Sequence, residues 1–162
     1  MIKNVKSPKK IEITITPPGD KSISHRAALL NSFAYGTAHV SNFCVGDDRT
    51  SMLGCLKGLG ATIIEHSGCT ICNTEECFEI RGNGFEGLTE PSNVLWAGNS
   101  GTTMRLISGL LAGLDFYTVI NGDESLRKRP MRRITAPLET MGASISGRDG
   151  GALAPLAFNG GN

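Results

Sequence analysis

Pro18-Gly19-Asp20-Lys21-Ser22-Ile23-Ser24-His25-Arg26 joins an extended run to a helix. Residues 11–15 alternate apolar and polar, the period of a strand, and Pro17-Pro18-Gly19 ends that run. A helix starting near Ser22 carries Ala27, Ala28, Leu29 and Leu30, and Gly36 suits its stop. The first N–H groups of a helix have no intrahelical partner and carry partial positive charge. Lys21 and Arg26 add two cations there, so the junction reads as a site for a small anion, a phosphate or a carboxylate. It is not a Walker loop, because Asp20 stands where glycine must precede the lysine. His25 reads as a helix-surface histidine.

The pattern that follows occurs twice. Arg26 opens a helix that meets Gly36, a strand over 37–43, Gly46-Asp47, a second helix with Met52, Leu53, Leu56 and Leu59, and then Gly60-Ala61-Thr62-Ile63. Arg105, 79 residues later, opens a helix that meets Gly113, a strand over 116–120, Gly122-Asp123, another helix, and then Gly142-Ala143-Ser144-Ile145. Two units of about 80 residues are therefore expected. In the first unit, Asp47 or Asp48 is expected to cap the second helix, and 61–65, 70–72 and 78–81 to be strands before a glycine-rich loop over 82–92. In the second unit, Asn99 or Ser100 caps a helix with Met104, Leu106, Ile107, Leu110 and Leu111. Pro130 suits the first turn of the last long helix, with Met131, Ile134, Leu138 and Met141 facing the core. Strands over 143–146 and 153–158 flank a Gly150-Gly151 turn. Each unit thus starts a helix from a polar, glycine-containing loop, and related units would point both starts to one anion-binding side.

Gly98-Asn99-Ser100-Gly101-Thr102 is not a nucleophile elbow, since Thr102 stands where the second glycine is needed; Ser100 reads as a cap. Gly101 would let a ligand approach the backbone closely. Arg127-Lys128-Arg129-Pro130-Met131-Arg132-Arg133 is the densest basic run. No aromatic residues interleave with it and the formal net charge is only +1, so it fits a small polyanion better than nucleic acid. Arg129, fixed before Pro130, is its best candidate; Arg132 and Arg133 read equally well as solvated. With 162 residues, 40% hydrophobic and 19% charged, the chain has enough apolar sequence for a core. No apolar run spans a membrane and no signal-peptide core follows the basic N-terminus, so a cytoplasmic protein is expected. The five cysteines, Cys44, Cys55, Cys69, Cys72 and Cys77, read as free thiols. His66, Cys69, Cys72 and Cys77 lack a second CxxC or paired histidines and are read as a β-hairpin, so no metal is expected.

PGDKSISHRAALL, GNSGTTMRL and GDESLRKRPMRR together resemble, in order and at natural spacing, the N-terminal signatures of the EPSP synthase family, in its second bacterial class. The resemblance implies an α+β fold of repeated βαβαββ units, the enolpyruvyl transferase (inside-out α/β barrel) architecture. Residues 1–17 would be a strand of the other domain, 18–97 one unit, and 98–162 a second, with two of the three units of one domain present. It implies transfer of the enolpyruvyl group from phosphoenolpyruvate to the 5-hydroxyl of shikimate 3-phosphate. By motif, Lys21, Ser22 and Arg26 would hold shikimate 3-phosphate. Lys21, Gly101 and Arg129 would hold phosphoenolpyruvate, and Lys21 would stabilise charge in catalysis. No cofactor, metal, nucleic acid or membrane partner is implied, and the full-length enzyme is expected to be a monomer. Gly101, rather than alanine, implies sensitivity to the inhibitor glyphosate. The chain is less than half a family chain and is expected to be an inactive fragment. Two alternatives stay open: a UDP-N-acetylglucosamine enolpyruvyl transferase, though that family has Lys-Asn where Lys21-Ser22 stands, and a non-catalytic phosphate-binding module.

Overall fold

The computed structural model describes residues 3, 4, 6, 7 and 10–160. The helices are α1 (Lys21–Phe33), α2 (Asp47–Gly58), α3 (Gly101–Leu111) and α4 (Arg132–Thr140), with a short helical turn at Arg148–Gly151. The strands are β1 (Tyr35–Ser41), β2 (Thr62–Cys69), β3 (Thr74–Asn83), β4 (Leu95–Trp96), β5 (Thr118–Asn121), β6 (Ser144–Gly147) and β7 (Leu153–Asn159).

The repeat is visible in the topology. One sheet has the order β1-β3-β2, all antiparallel. The other has the order β4-β5-β7-β6, in which β5, β7 and β6 reproduce the first arrangement and β4 adds a parallel edge. The second helix of each unit ends in the same way. Gly60 (φ 89°) donates to Lys57 O while Ala61 donates to Leu56 O; Gly142 (φ 107°) donates to Glu139 O while Ala143 donates to Leu138 O. Each is a Schellman stop, which satisfies late helix carbonyls and needs a left-handed residue that glycine supplies without a Cβ penalty.

A continuous core joins the units. Ala28, Met52, Leu56, Met104, Ile107 and Leu111 from the helices meet Phe78, Ile80, Ile120, Leu156 and Phe158 from the sheets. Helices α1, α2 and α3 pack on one another, α1 also on β3 and α2 on β4. This mixed architecture is the expected α+β class.

Several local expectations are corrected. Residues 11–15 form no strand: Ile11, Ile13 and Ile15 are more than 70% exposed, and no described strand pairs with them. Alternation signals a strand only where a sheet edge is present to receive it. Residues 70–72 are a turn, because β2 runs on to Cys69 and β3 begins at Thr74. Within the expected 82–92 loop, β3 extends through Asn83 and a 3₁₀ turn covers Phe85–Gly87. Neither Asp47 nor Asp48 caps α2, whose N-cap is Gly46 without a side-chain bond. Pro130 lies before α4, which starts at Arg132, and Met141 is exposed rather than in the core. The buried place there goes to Thr135, whose hydroxyl donates to Gly151 O at 3.1 Å. Gly150-Gly151 belongs to the short helical turn. His25 is fully buried, not on the surface.

Candidate anion-binding site

The start of α1 is fixed by Asp20, whose Oδ1 accepts from Ile23 N at 2.7 Å. The helix therefore begins one residue earlier than expected, at Lys21. The preceding turn approaches the segment that follows β1 so closely that a Cβ on Gly19 would overlap Asn42 O. Ser24 ties the two elements again: its hydroxyl donates to Asp20 O at 2.7 Å and accepts from Cys44 N at 2.9 Å. Beneath it, His25 Nε2 meets Asp48 O at 3.2 Å. Burial pushes the His25 imidazole below its usual value despite that bond, so it stays neutral at pH 7.

Asp48, in the first turn of α2, is the link between the two units. It forms an ion pair with Lys21, and Ser100 beside it also favours its charged form. Burial raises its carboxyl, but Lys21 and Ser100 outweigh that and hold it below the usual aspartate value. Ser100 caps α3, accepting from Thr103 N at 3.2 Å, as expected. The starts of α1 and α3 thus lie on one side, bridged by a carboxylate.

The basic run enters from the β5–α4 connection. Arg129 Nη2 donates to Asn99 Oδ1 at 2.5 Å, and Asn99 Nδ2 donates to Asp123 Oδ2 at 2.7 Å. Asp123 in turn accepts from Leu126 N at 2.7 Å, so the turn that carries Arg129 is braced from both ends. An ideal Cβ on Gly101 would lie 2.7 Å from Arg105 Nη1 and 3.3 Å from Arg129 Nη1. The first residue of α3 is therefore roofed by two guanidinium groups. Burial lowers the Arg105 pKa, and the neighbouring Arg133 and Arg129 lower it further. Among the described residues none of Arg26, Arg105, Arg129 and Arg133 has a carboxylate partner, and Arg105 Nε is buried without a hydrogen bond. Converging cations without counter-charges at two helix starts fit an anionic ligand.

Of the expected residues, Lys21, Gly101 and Arg129 are brought together through Asp48, Ser100 and Asn99. Ser22 and Arg26 lie one turn apart on the exposed part of α1, where Arg26 Nη1 folds back to Ser22 O at 3.2 Å. No hydrogen bond or ion pair among the described residues ties them to Arg129. Arg132 pairs with Glu139 at 3.2 Å, and Arg133 stays exposed near Arg105. Sequence reasoning missed Asp48, Asn99, Arg105 and Asp123 as members of the site. Arg105 alone carried a local signal, being one helical turn after Gly101 on the same face. A cavity of about 720 Å³ opens beside the site, between α2 and β4. It shares Asn99 and Asp123 but is lined by Asp47 and no lysine or arginine, so it does not suit an anion.

Comparison with known proteins agrees with the motifs. The family model described as EPSP synthase (3-phosphoshikimate 1-carboxyvinyltransferase) matches residues 5–162. A 3-phosphoshikimate 1-carboxyvinyltransferase from Alkaliphilus metalliredigens is 55% identical over 153 residues, 94% of this chain and 34% of that protein. One from Chloroflexus aurantiacus is 49% identical, over 95% of this chain and 34% of that protein. A solved EPSP synthase from Acinetobacter baumannii superposes with a TM-score of 0.82 at 40% identity, covering 91% of this chain and 32% of that one. The chain spans about a third of the length of these relatives. It belongs to the EPSP synthase family.

Proposed function

We propose that this chain supplies one wall of an enolpyruvyl transferase site, in which phosphoenolpyruvate and shikimate 3-phosphate react to give the enolpyruvyl ether and inorganic phosphate. The observation that carries the reading is the convergence of Lys21, Arg105 and Arg129 on the starts of α1 and α3, with no carboxylate of the described residues on either arginine. Lys21, Ser22 and Arg26 hold shikimate 3-phosphate; Lys21, Gly101 and Arg129 hold phosphoenolpyruvate. The shikimate 5-hydroxyl gives up its proton as it adds to the substituted vinyl carbon and a proton goes to the methylene carbon, making a methyl group; phosphate then leaves as that methyl loses a proton and the double bond re-forms. Lys21 stabilises the charge that moves on the phosphate oxygens in both steps. Asp48 holds Lys21 in place, and Asn99 does the same for Arg129.

Residues 11–15, exposed here, supply a strand to a second domain, and 18–97 and 98–162 are successive units of the first. The remaining two thirds of a relative's length supplies the proton-transfer groups, so the 162-residue chain alone does not turn over. The full-length enzyme works in the cytoplasm as a monomer. The test is phosphate release from phosphoenolpyruvate and shikimate 3-phosphate by a polypeptide extended to the relatives' length. Release that Lys21→Met abolishes is expected. Activity with UDP-N-acetylglucosamine instead of shikimate 3-phosphate would overturn the substrate assignment.

A further inference from the structure

The end of the β2–β3 hairpin gathers more metal-binding groups than hairpin packing needs. His39 of β1, Cys69 of β2 and Cys77 of β3 place their ligand atoms within 4.8 Å of one another, though they come from three strands. Cys72 follows Cys69 by three residues in the turn, the CxxC spacing at which two thiols share one ion. The turn is shaped for a thiolate. Gly68 (φ 78°) and Asn73 (φ 52°) are both left-handed, and Cys72 N donates to Cys69 Sγ at 3.4 Å. His39 Nδ1 is buried and has no hydrogen-bond partner among the described residues. A cavity of about 140 Å³ opens onto His39 and Cys69. His66 lines it too, but its Nε2 already meets Glu79 Oε2 at 2.8 Å. Glu79 is in turn held by Arg81 at 2.5 Å.

We propose that His39, Cys69, Cys72 and Cys77 bind one structural Zn²⁺. Three thiolates and one imidazole form a closed tetrahedral set for a thiophilic ion with no redox chemistry. Zinc–sulfur bonds of about 2.3 Å put ligand atoms about 3.8 Å apart, so His39, Cys69 and Cys77 close on the ion by a shift of about 1 Å, and the turn brings in Cys72 as the fourth ligand. The fourth ligand is what the linear sequence conceals: His66 is near Cys69 in sequence, but His39 reaches the thiols across the sheet. The ion would brace the end of the sheet that meets α2, where Glu76 pairs with Arg49 at 3.0 Å, next to Asp48. The inference is independent of the transferase reading.

The test strips the purified, reduced protein with a chelator and adds Zn²⁺, then Co²⁺, as the only ligand. One zinc per chain should survive gel filtration, and cobalt should show thiolate charge transfer with tetrahedral d–d bands. In the unmutated protein, zinc should protect Cys69, Cys72 and Cys77 from alkylation, a readout that needs no variant to fold. Cys77→Ser and His39→Gln should each lose more than about tenfold in zinc affinity, the scale of losing even an outer partner of a ligand. His66→Gln should keep the metal. No retained zinc, unprotected thiols, a Cys69–Cys72 disulfide that reforms in the presence of zinc, or zinc lost in His66→Gln and kept in His39→Gln would each overturn the proposal.

Discussion

Lys21 is held in place by Asp48, so the anion site is aimed before any ligand arrives. Lys21→Met leaves Asp48 with Ser100 but no cation, and should weaken shikimate 3-phosphate binding at least about tenfold, which is about 1.4 kcal/mol. Calorimetric titration checks it. Gly101→Ala acts differently. Its Cβ would crowd Arg105 and Arg129 rather than strain the backbone, because Gly101 is an ordinary helical residue. Stability should therefore change by under about 0.5 kcal/mol, while affinity for phosphoenolpyruvate and for glyphosate falls. His25 gives a pH signature. Its folded pKa lies below the ordinary 6.5, so the unfolded chain takes up the proton first as pH falls. Its contribution is complete above pH 6.5 and declines from there down to the folded value. The urea midpoint should drop over that window in the parent chain and not in His25→Gln. Lys21, Gly101 and Arg129 were legible because each sits at a local break, a helix start or a pre-proline position. Asp48, Asn99 and Asp123 were not, because their roles come from partners 24 to 52 residues away.

Helix ends were the most readable elements, and their stops are where local chemistry acts alone. Gly60→Ala forces a side chain into a left-handed position and 2.7 Å from Thr89 Oγ1. It should cost at least about 1 kcal/mol. Gly54→Ala, inside α2 with open space around it, should be neutral or stabilising by about 0.5–1 kcal/mol. Chemical denaturation of the pair separates the two mechanisms. Strands were less readable. The hairpin turn at residues 70–72 looked like strand because Thr70 and Ile71 favour β structure, yet two left-handed residues, Gly68 and Asn73, turn the chain. The same kind of error occurs at 11–15: alternation states which face a strand would bury, not whether a sheet is there. Met141 was placed in the core by helical spacing, but α4 ends at Thr140 and the periodicity no longer applies beyond it.

At the scale of the molecule, two copies of one β-α topology share a core and leave apolar surface uncovered. Ile11, Ile13 and Ile15 are exposed, as are Val94, Trp96 and Tyr117 along the β4–β5 edge. Replacing Ile11, Ile13 and Ile15 together by serine should change the melting free energy of this chain by under about 0.5 kcal/mol, since they bury little. The repeat itself was legible from glycine stops and their spacing. That its two helix starts meet through Asp48 was not, since sequence symmetry gives direction without distance. This meeting is the central claim, and a ¹⁵N-amide titration with shikimate 3-phosphate and phosphoenolpyruvate together tests it most directly. Shifts confined to the α1 start (residues 20–26), the α3 start (99–105) and Arg129, absent in Lys21→Met, are predicted. Shifts at only one helix start, or at the 720 Å³ cavity of α2 and β4 instead, would contradict a single anion site shared by the two units.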